Sequence, residues 1–348
     1  MSDHNLIHIS RVISLILCSL SLFAGSDQGS TISGLIIDSE SGSALSDVNV
    51  FLANTTIGAA SDQQGKFIIT RVPQGIYDLI FDCVGYQTKS IQISNLQTQS
   101  FRFTIDLQPR IYNVEKIQVV GEKPEQWLKN LDLFRAEFIG RGYHANECVI
   151  LNPEVLNLSE DTETGTLTAF TDSLLKIRND ALGYRIDIKL VQFECNFTHN
   201  FCRYEIYPRF YEIDPASEGQ RSRWQDNRQQ SFIGSLKHFL FLFVKDQYFP
   251  LYKLYIIIGN TEKFRVSGDI LHPEILPNSS LIRISFPDFL SFDYYTFGVA
   301  QKSSRLRLDQ GYAYIDTLGN IYGPITKRGA WSEERIADLL PYNYKTEE

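Results

Sequence analysis

The chain has 348 residues, 43% of them hydrophobic and 21% charged, with a formal net charge of −8. That length accommodates two domains with cores of their own, while the negative balance argues against nucleic acid or an anionic lipid surface as partner, since both need basic patches. Aromatic residues are plentiful, 18 Tyr and 23 Phe against a single Met, a composition that suits strands better than helices.

At the N-terminus, His4, His8 and Arg11 precede an apolar run over 12–23, and small residues follow at Ala24-Gly25-Ser26. This layout predicts an export signal over 1–26, cleaved near Ala24 or Ser26. The run is too short to span a bilayer comfortably. Leu17 before Cys18 is too large for a lipoprotein box, so the expected product is free of the membrane after cleavage.

From Ser33 to Tyr86 the pattern changes to short strands joined by tight turns. Val48 and Val50 flank Asn49 at the two-residue period of a half-buried strand. Asp62-Gln63-Gln64-Gly65 is a polar connection in which Gly65 can take a positive φ, and Phe67-Ile68-Ile69 starts the return. Pro73-Gln74-Gly75 is a further turn, and Ile76, Leu79, Ile80 and Phe81 continue as an apolar strand. The spacing predicts a β-sandwich over 31–108.

Gln108-Pro109 closes that unit, and 109–123 reads as an extended linker that includes Val119-Val120-Gly121. Pro124 opens a helix with Trp127, Leu131, Phe134 and Phe138 on one face. From Cys148 to about Phe210 the pattern is strand-like, with clean alternation over 184–190. Cys195 and Cys202 flank a stretch that reads as a hairpin tip, and a turn centred on Thr198-His199 places them opposite each other. They are then either a disulfide or two free thiols on adjacent strands. Cys83 reads as a small core residue. Residues 228–243 read as one helix with the stripe Phe232, Leu236, Phe239, Leu240 and Phe243. Strands are expected at 252–258, 263–267, 281–286 and 312–322, and Ser332 can cap a last helix that Pro341 ends. The predicted fold is therefore mainly β: a sandwich, then a β-rich α+β domain over 124–348 with a few helices.

The landmarks Gly34, Asp38, Gly42, Leu45, Val48-x-Val50, Gly58, Asp62-x-x-Gly65-x-Phe67, Pro73-x-Gly75-x-Tyr77 and Gly85-Tyr86 together resemble the carboxypeptidase regulatory-like domain. The resemblance covers about 31–108 and implies a seven-stranded, transthyretin-like β-sandwich. Its landmarks serve turns and core, so it implies no active site. Blocks of the second half are Cys148–Leu156, Asn179-Asp180-Ala181-Leu182-Gly183-Tyr184, Arg228 to Phe239 and Trp331 to Pro341. They resemble envelope proteins of Gram-negative bacteria that carry this domain at their N-terminus. That match implies a periplasmic or outer-envelope setting, without naming a reaction.

Several constellations could carry chemistry. His144-Ala145-Asn146-Glu147 has the His-x-x-Glu spacing by which zinc carboxypeptidases supply two ligands, and His272 lies downstream as a third. Against this, the motif is short, and in true carboxypeptidases the regulatory-like domain follows the catalytic one. Ser235 and His238, with Arg228, are the place to look for an unrecognised catalytic group, although no Gly-x-Ser-x-Gly elbow surrounds Ser235. No phosphate loop or dinucleotide fingerprint is present, so no cofactor is expected. Tyr204 and Phe210 fall on one strand face and Tyr207 and Tyr211 on the other. Core plus interdomain packing explains them better than a carbohydrate platform. The expectation is an exported, non-enzymatic binding or scaffolding module whose partner is another envelope protein or a glycan. The alternatives are a relative of the N-terminal extension of TonB-dependent receptors, for whose large barrel too few residues remain, and a zinc carboxypeptidase-like hydrolase.

Overall fold

The computed structural model describes residues 29–110, 125–258 and 262–346. The export signal, the linker beyond Arg110 with its Val119-Val120-Gly121 segment, and Pro124 lie outside the described residues. Among those described, no helix is long and apolar enough to cross a membrane.

Seven strands open the fold: β1 (Ser30–Asp38), β2 (Asn49–Leu52), β3 (Gly58–Ala60), β4 (Lys66–Val72), β5 (Gly75–Asp82), β6 (Lys89–Asn95) and β7 (Ser100–Leu107). They form two sheets, ordered β4-β1-β7 and β3-β2-β5-β6. β1 runs antiparallel to β4 and parallel to β7. Alternate residues of both sheets point inward, so Ile32, Ile36, Val50, Leu79, Phe81 and Ile105 close a single core. The turns hold as their residue types require. At Gly65 (φ +72°) a Cβ would lie 2.5 Å from the Ile36 carbonyl oxygen. Asp38 ends β1 by accepting the Glu40 and Ser41 amides at 2.8 and 2.7 Å, while its other oxygen accepts the Tyr86 hydroxyl at 2.7 Å. The Ser41 amide, then that hydroxyl and the Glu40 amide, hold the carboxyl down to about 2.

The chain continues through helix α1 (Glu125–Phe138) into β8 (Cys148–Ile150), β9 (Leu156–Asp161), β10 (Thr166–Thr171), β11 (Leu175–Asn179), β12 (Tyr184–Asn196) and β13 (Phe201–Glu212). The sheet runs β8-β11-β12-β10-β9, and β13 pairs with β12. α1 lies on its inner face: Phe134 and Phe138 meet Phe193 edge to face at 5.0 and 5.9 Å. Each fully buried Phe of this kind contributes roughly 1.5–3 kcal/mol. Cys195 and Cys202 are register partners across the β12–β13 hairpin, joined by a disulfide with Cα atoms 4.1 Å apart.

The stretch expected as one helix over 228–243 is two: α2 (Glu218–Phe232) and α3 (Leu236–Val244). Ile233 turns extended, Gly234 sits at φ +76°, and the Ser235 hydroxyl accepts the His238 amide as an N-cap. The apolar stripe thus straddles a corner. Beyond it come β14 (Tyr252–Ile258), β15 (Glu262–Val266), β16 (Glu274–Ile275), β17 (Ile282–Ser285), β18 (Leu290–Thr296), β19 (Val299–Leu308), β20 (Tyr312–Ile315), β21 (Ile321–Tyr322) and β22 (Ile325–Gly329). These build a five-stranded sheet, β15-β14-β18-β19-β22, and a four-stranded one, β16-β17-β20-β21. Phe239, Phe292 and Trp331 centre their shared core.

The last helix expected from Ser332 does not form. Two 3₁₀ turns, Ala330–Ser332 and Ile336–Asp338, stand in its place. The backbone there is committed elsewhere: the Ala337 amide donates to the Ile139 carbonyl at 3.0 Å, and the Ala337 carbonyl accepts the Asn179 side chain at 2.9 Å. The strand expected over 312–322 is likewise split into β20 and β21 by a turn at Asp316–Asn320.

Candidate functional site

The residues with His-x-x-Glu spacing are not brought together with the downstream histidine. His144 is buried on a 3₁₀ turn, its Nδ1 2.9 Å from Asp338 and 3.2 Å from the Ser231 hydroxyl. Glu147 faces away, paired with Arg223 at 3.0 Å. His272 is exposed and closes another turn at φ +44°. Among the described residues, the group close enough to share an ion is Glu137 with Cys195 and Cys202, and those two sulfurs are bonded to each other. The zinc-carboxypeptidase arrangement is therefore not assembled. Ser231, His144 and Asp338 do form a Ser/His/Asp set that the sequence pattern missed. Both oxygens converge on Nδ1, however, whereas a nucleophile triad places hydroxyl and carboxylate on opposite ring nitrogens. Nε2 is buried with no partner among the described residues.

Ser235 and His238 are joined by capping, not catalysis. The His238 imidazole accepts the Gly234 amide at 3.0 Å through Nδ1, and the Tyr252 hydroxyl lies 2.9 Å from the same atom. Burial, with Lys302 nearby, pulls this imidazole down to about 4. Arg228 is spent on structure too: Nε donates to the Leu182 carbonyl at 2.8 Å, and the guanidinium lies 4.1 Å from the Tyr184 ring centre. Trp224 and Asn227 donate to the carbonyls of Asp180 and Ala181 at 2.7 Å each. One face of α2 is thus stitched to the 179–184 turn, which explains why those two blocks go together.

The aromatic residues of β13 divide as the strand period demands. Tyr204 meets Phe138 at 5.7 Å and Phe210 lies in the core. On the other face, Tyr207 packs on Phe51, Ala53 and Ile80 of the sandwich. This contact belongs to a broad junction. The Asn54 amide donates to the Pro208 carbonyl at 2.7 Å, and the Phe210 amide donates to the Thr55 carbonyl at 2.9 Å. The Tyr342 amide donates to the Asn54 carbonyl at 2.6 Å, and Asn343 exchanges hydrogen bonds with both the amide and the hydroxyl of Thr56. Sandwich, β13 and the 341–346 segment thus share one loop, 53–57.

Beside this junction opens a polar cleft of about 470 Å³, lined by Gln74 and Tyr77 from the sandwich and by Asp316, Asn320, Tyr342 and Asn343. Its floor is the turn between β20 and β21. One Asp316 oxygen accepts the Leu318 and Asn320 amides at 2.9 Å each; the other accepts Asn320 Nδ2 at 2.7 Å and the Tyr322 hydroxyl at 2.8 Å. Gly319 (φ +78°) makes this possible, since a Cβ there would lie 2.2 Å from the Lys237 carbonyl oxygen. Lys237 donates to the Pro341 and Tyr342 carbonyls at 2.9 and 3.2 Å, and burial pulls its ammonium down to about 7. Burial likewise pushes the Tyr77 and Tyr322 hydroxyls upward, so both stay protonated donors. Asn320 is 4% exposed, and its Oδ1 has no partner among the described residues. The cleft therefore offers hydroxyls, amides and one carboxylate, both of whose oxygens are engaged by the turn itself. The sequence signal that could have found its floor is Asp316-x-x-Gly319-Asn320, which repeats the Asp-x-x-Gly turn of Asp62 and Gly65.

No curated protein matches the chain. Solved structures similar to parts of it include the following three. A type II cohesin–X-dockerin complex from Acetivibrio cellulolyticus is 23% identical, covering 30% of this chain and 72% of that one, with a TM-score of 0.22. The group B streptococcus pilus 2b backbone protein is 16% identical over 23% and 41%, at 0.20. The major pilin subunit of Bacillus cereus is 7% identical over 86% and 67%, at 0.21. Scores this low carry no argument about fold or ligand. The family comparison is of another kind: the CarboxypepD_reg-like domain matches residues 32–119, and the N-terminal sandwich of this chain is a CarboxypepD_reg-like domain.

Proposed function

We propose that the chain is an exported, non-enzymatic binding module of the Gram-negative cell envelope. The sandwich and the β-rich unit behind it form one receptor surface, and the junction cleft takes a polar, uncharged group of a glycan or of another envelope protein. The observation that carries this reading is Asn320: a nearly buried amide lining the cleft, whose acceptor oxygen has no partner among the described residues. A buried polar atom of this kind costs roughly 1–3 kcal/mol unless a donor meets it, and a ligand hydroxyl or amide would supply one. The Ser235, His238 and Arg228 set supports the reading from the other side, since each member is already engaged in packing or capping.

The test is titration calorimetry of the purified mature chain against a panel of neutral mono- and disaccharides and polar peptides. A ligand from the panel should bind, and Asn343→Ala or Gln74→Ala should weaken it roughly tenfold, the loss of about one hydrogen bond to a buried group. Turnover of a peptide or glycan library that disappears with a cleft substitution would overturn the non-enzymatic reading.

A further inference from the structure

The outer face of the six-stranded sheet carries a feature that the junction cleft does not use. Across β11, β12 and β13 the register sets Lys176 beside Asp187 beside Arg209, and in the next row Arg178 beside Arg185 beside Tyr211. Their inward neighbours Ile177, Ile186 and Phe210 fill the core, so the period of two sends this set outward. Lys176, Arg178 and Arg185 are exposed. Arg178 leans on Asp180 at 2.7 Å and Arg185 on Asp187 at 3.2 Å. That leaves three exposed cations, with the nearly buried Arg209 behind them, against two carboxylates, on a chain whose total charge is −8. Like charges directly opposite each other on a sheet destabilise it, and Arg178 and Arg185 stand directly opposite each other.

The cations are also held in place. Arg185 and Arg209 lie 4.0 and 4.6 Å from the centre of the Tyr211 ring. Arg209 is 9% exposed and donates to Asn49 of the sandwich, while its Nε–H has no acceptor among the described residues. Guanidinium forks fixed on an aromatic ring are preorganised for carboxylates.

We infer that this face binds an anionic polysaccharide, with Lys176, Arg178 and Arg185 taking the carboxylates of successive uronate sugars, while Arg209, held against the sandwich by Asn49, backs the Tyr211 ring behind them. β11 and β12 are interior strands, and beside Arg209 the edge of β13 is met by the 53–57 loop, so no backbone edge is open next to these side chains. Recognition must come from side chains alone, on a grid of about 4.8 Å between strands and about 6.7 Å along them. Tyr211 lies against two guanidinium groups and is not a free platform for a nucleic-acid base. A polymer with regularly repeated carboxylates fits such a surface.

The probe is sodium alginate, a polyuronate, in affinity electrophoresis of the full chain. Alginate should retard the protein, and about 0.5 M NaCl should abolish the retardation because the contacts are exposed and screened. The double variant Arg178→Gln/Arg185→Gln should weaken binding roughly tenfold or more, the loss expected for two charge-assisted pairs, with an unchanged circular dichroism spectrum. Arg178→Lys/Arg185→Lys should fall between the two. Neutral dextran should have no effect. Absence of retardation by alginate, or equal retardation of wild type and the Gln variant, overturns the proposal. Equal binding of poly-L-glutamate would assign the face to an acidic polypeptide instead. Asn343→Ala, in the junction cleft, should leave alginate binding untouched, which separates this face from that site.

Discussion

His238 shows how far a residue's surroundings can redirect its chemistry. It is enclosed by Phe232, Tyr252 and Tyr294, and it accepts a backbone amide with the nitrogen that a catalytic partner would need. In the unfolded chain the imidazole titrates near 6.5, whereas in the fold it is pulled down to about 4. Between those values the unfolded state binds more protons, so acid favours unfolding. The stabilisation is complete above about pH 6.5 and declines as the pH falls through the window. The decline levels off below about 4, with a total loss of roughly 3 kcal/mol. Urea unfolding at pH 7.5 and 4.5 measures this loss. His238→Gln, whatever its own stability, should lose roughly 2 kcal/mol less than wild type between the two pH values. Equal losses would show that another group carries the acid sensitivity.

At the scale of elements, the corner between α2 and α3 turns on two residues. Ser235 caps α3, and Gly234 supplies a backbone angle that other residues resist. Ser235→Ala should cost about 1 kcal/mol, a typical N-cap loss. Gly234→Ala should cost more, because its Cβ would also come within 3.2 Å of the Tyr294 ring. Chemical denaturation of both variants checks the order, and a Gly234→Ala chain as stable as wild type would sink the argument. The same corner marks the limit of what the sequence discloses. In the sandwich, Asp38, Gly65 and Pro73-x-Gly75 are punctuation that acts locally, so strands and turns can be read from neighbouring residues. In the second half the deciding partners are remote. Ala337 is kept from a helix by Ile139 and Asn179, and α2 buries Trp224 and Asn227 against a turn far upstream, which blurs its apolar stripe. β19 alternates cleanly only near its end, since Gln301, Lys302 and Ser303 stand in its exposed part. The cleft was the least legible feature. It joins Tyr77 to Asp316 and Tyr342, whose meeting depends on how the sandwich docks.

That docking governs the molecule as a whole. The 53–57 loop gives backbone hydrogen bonds to β13 and to the 341–346 segment at once, and Phe51, Ala53 and Ile80 bury an apolar patch against Tyr207. Arg209 reaches across to Asn49 and lies over Gly58. A Cβ at Gly58 would be 2.7 Å from the Arg209 guanidinium carbon and equally close to the Val50 carbonyl oxygen. The guanidinium could move, but the carbonyl belongs to the sandwich's own sheet and cannot. With the junction intact, the sandwich and the β-rich unit should unfold as one cooperative transition, since neither can leave without exposing the other's buried loop. Gly58→Val should displace Arg209 and weaken the junction by roughly 2–3 kcal/mol, within the usual range for overpacking. Differential scanning calorimetry should then resolve one transition in wild type and two in the variant. The junction cleft depends on the same docking, so the variant should also lose whatever ligand the cleft takes. A variant that unfolds in one transition and keeps the ligand would mean that the two units are coupled by contacts other than this one.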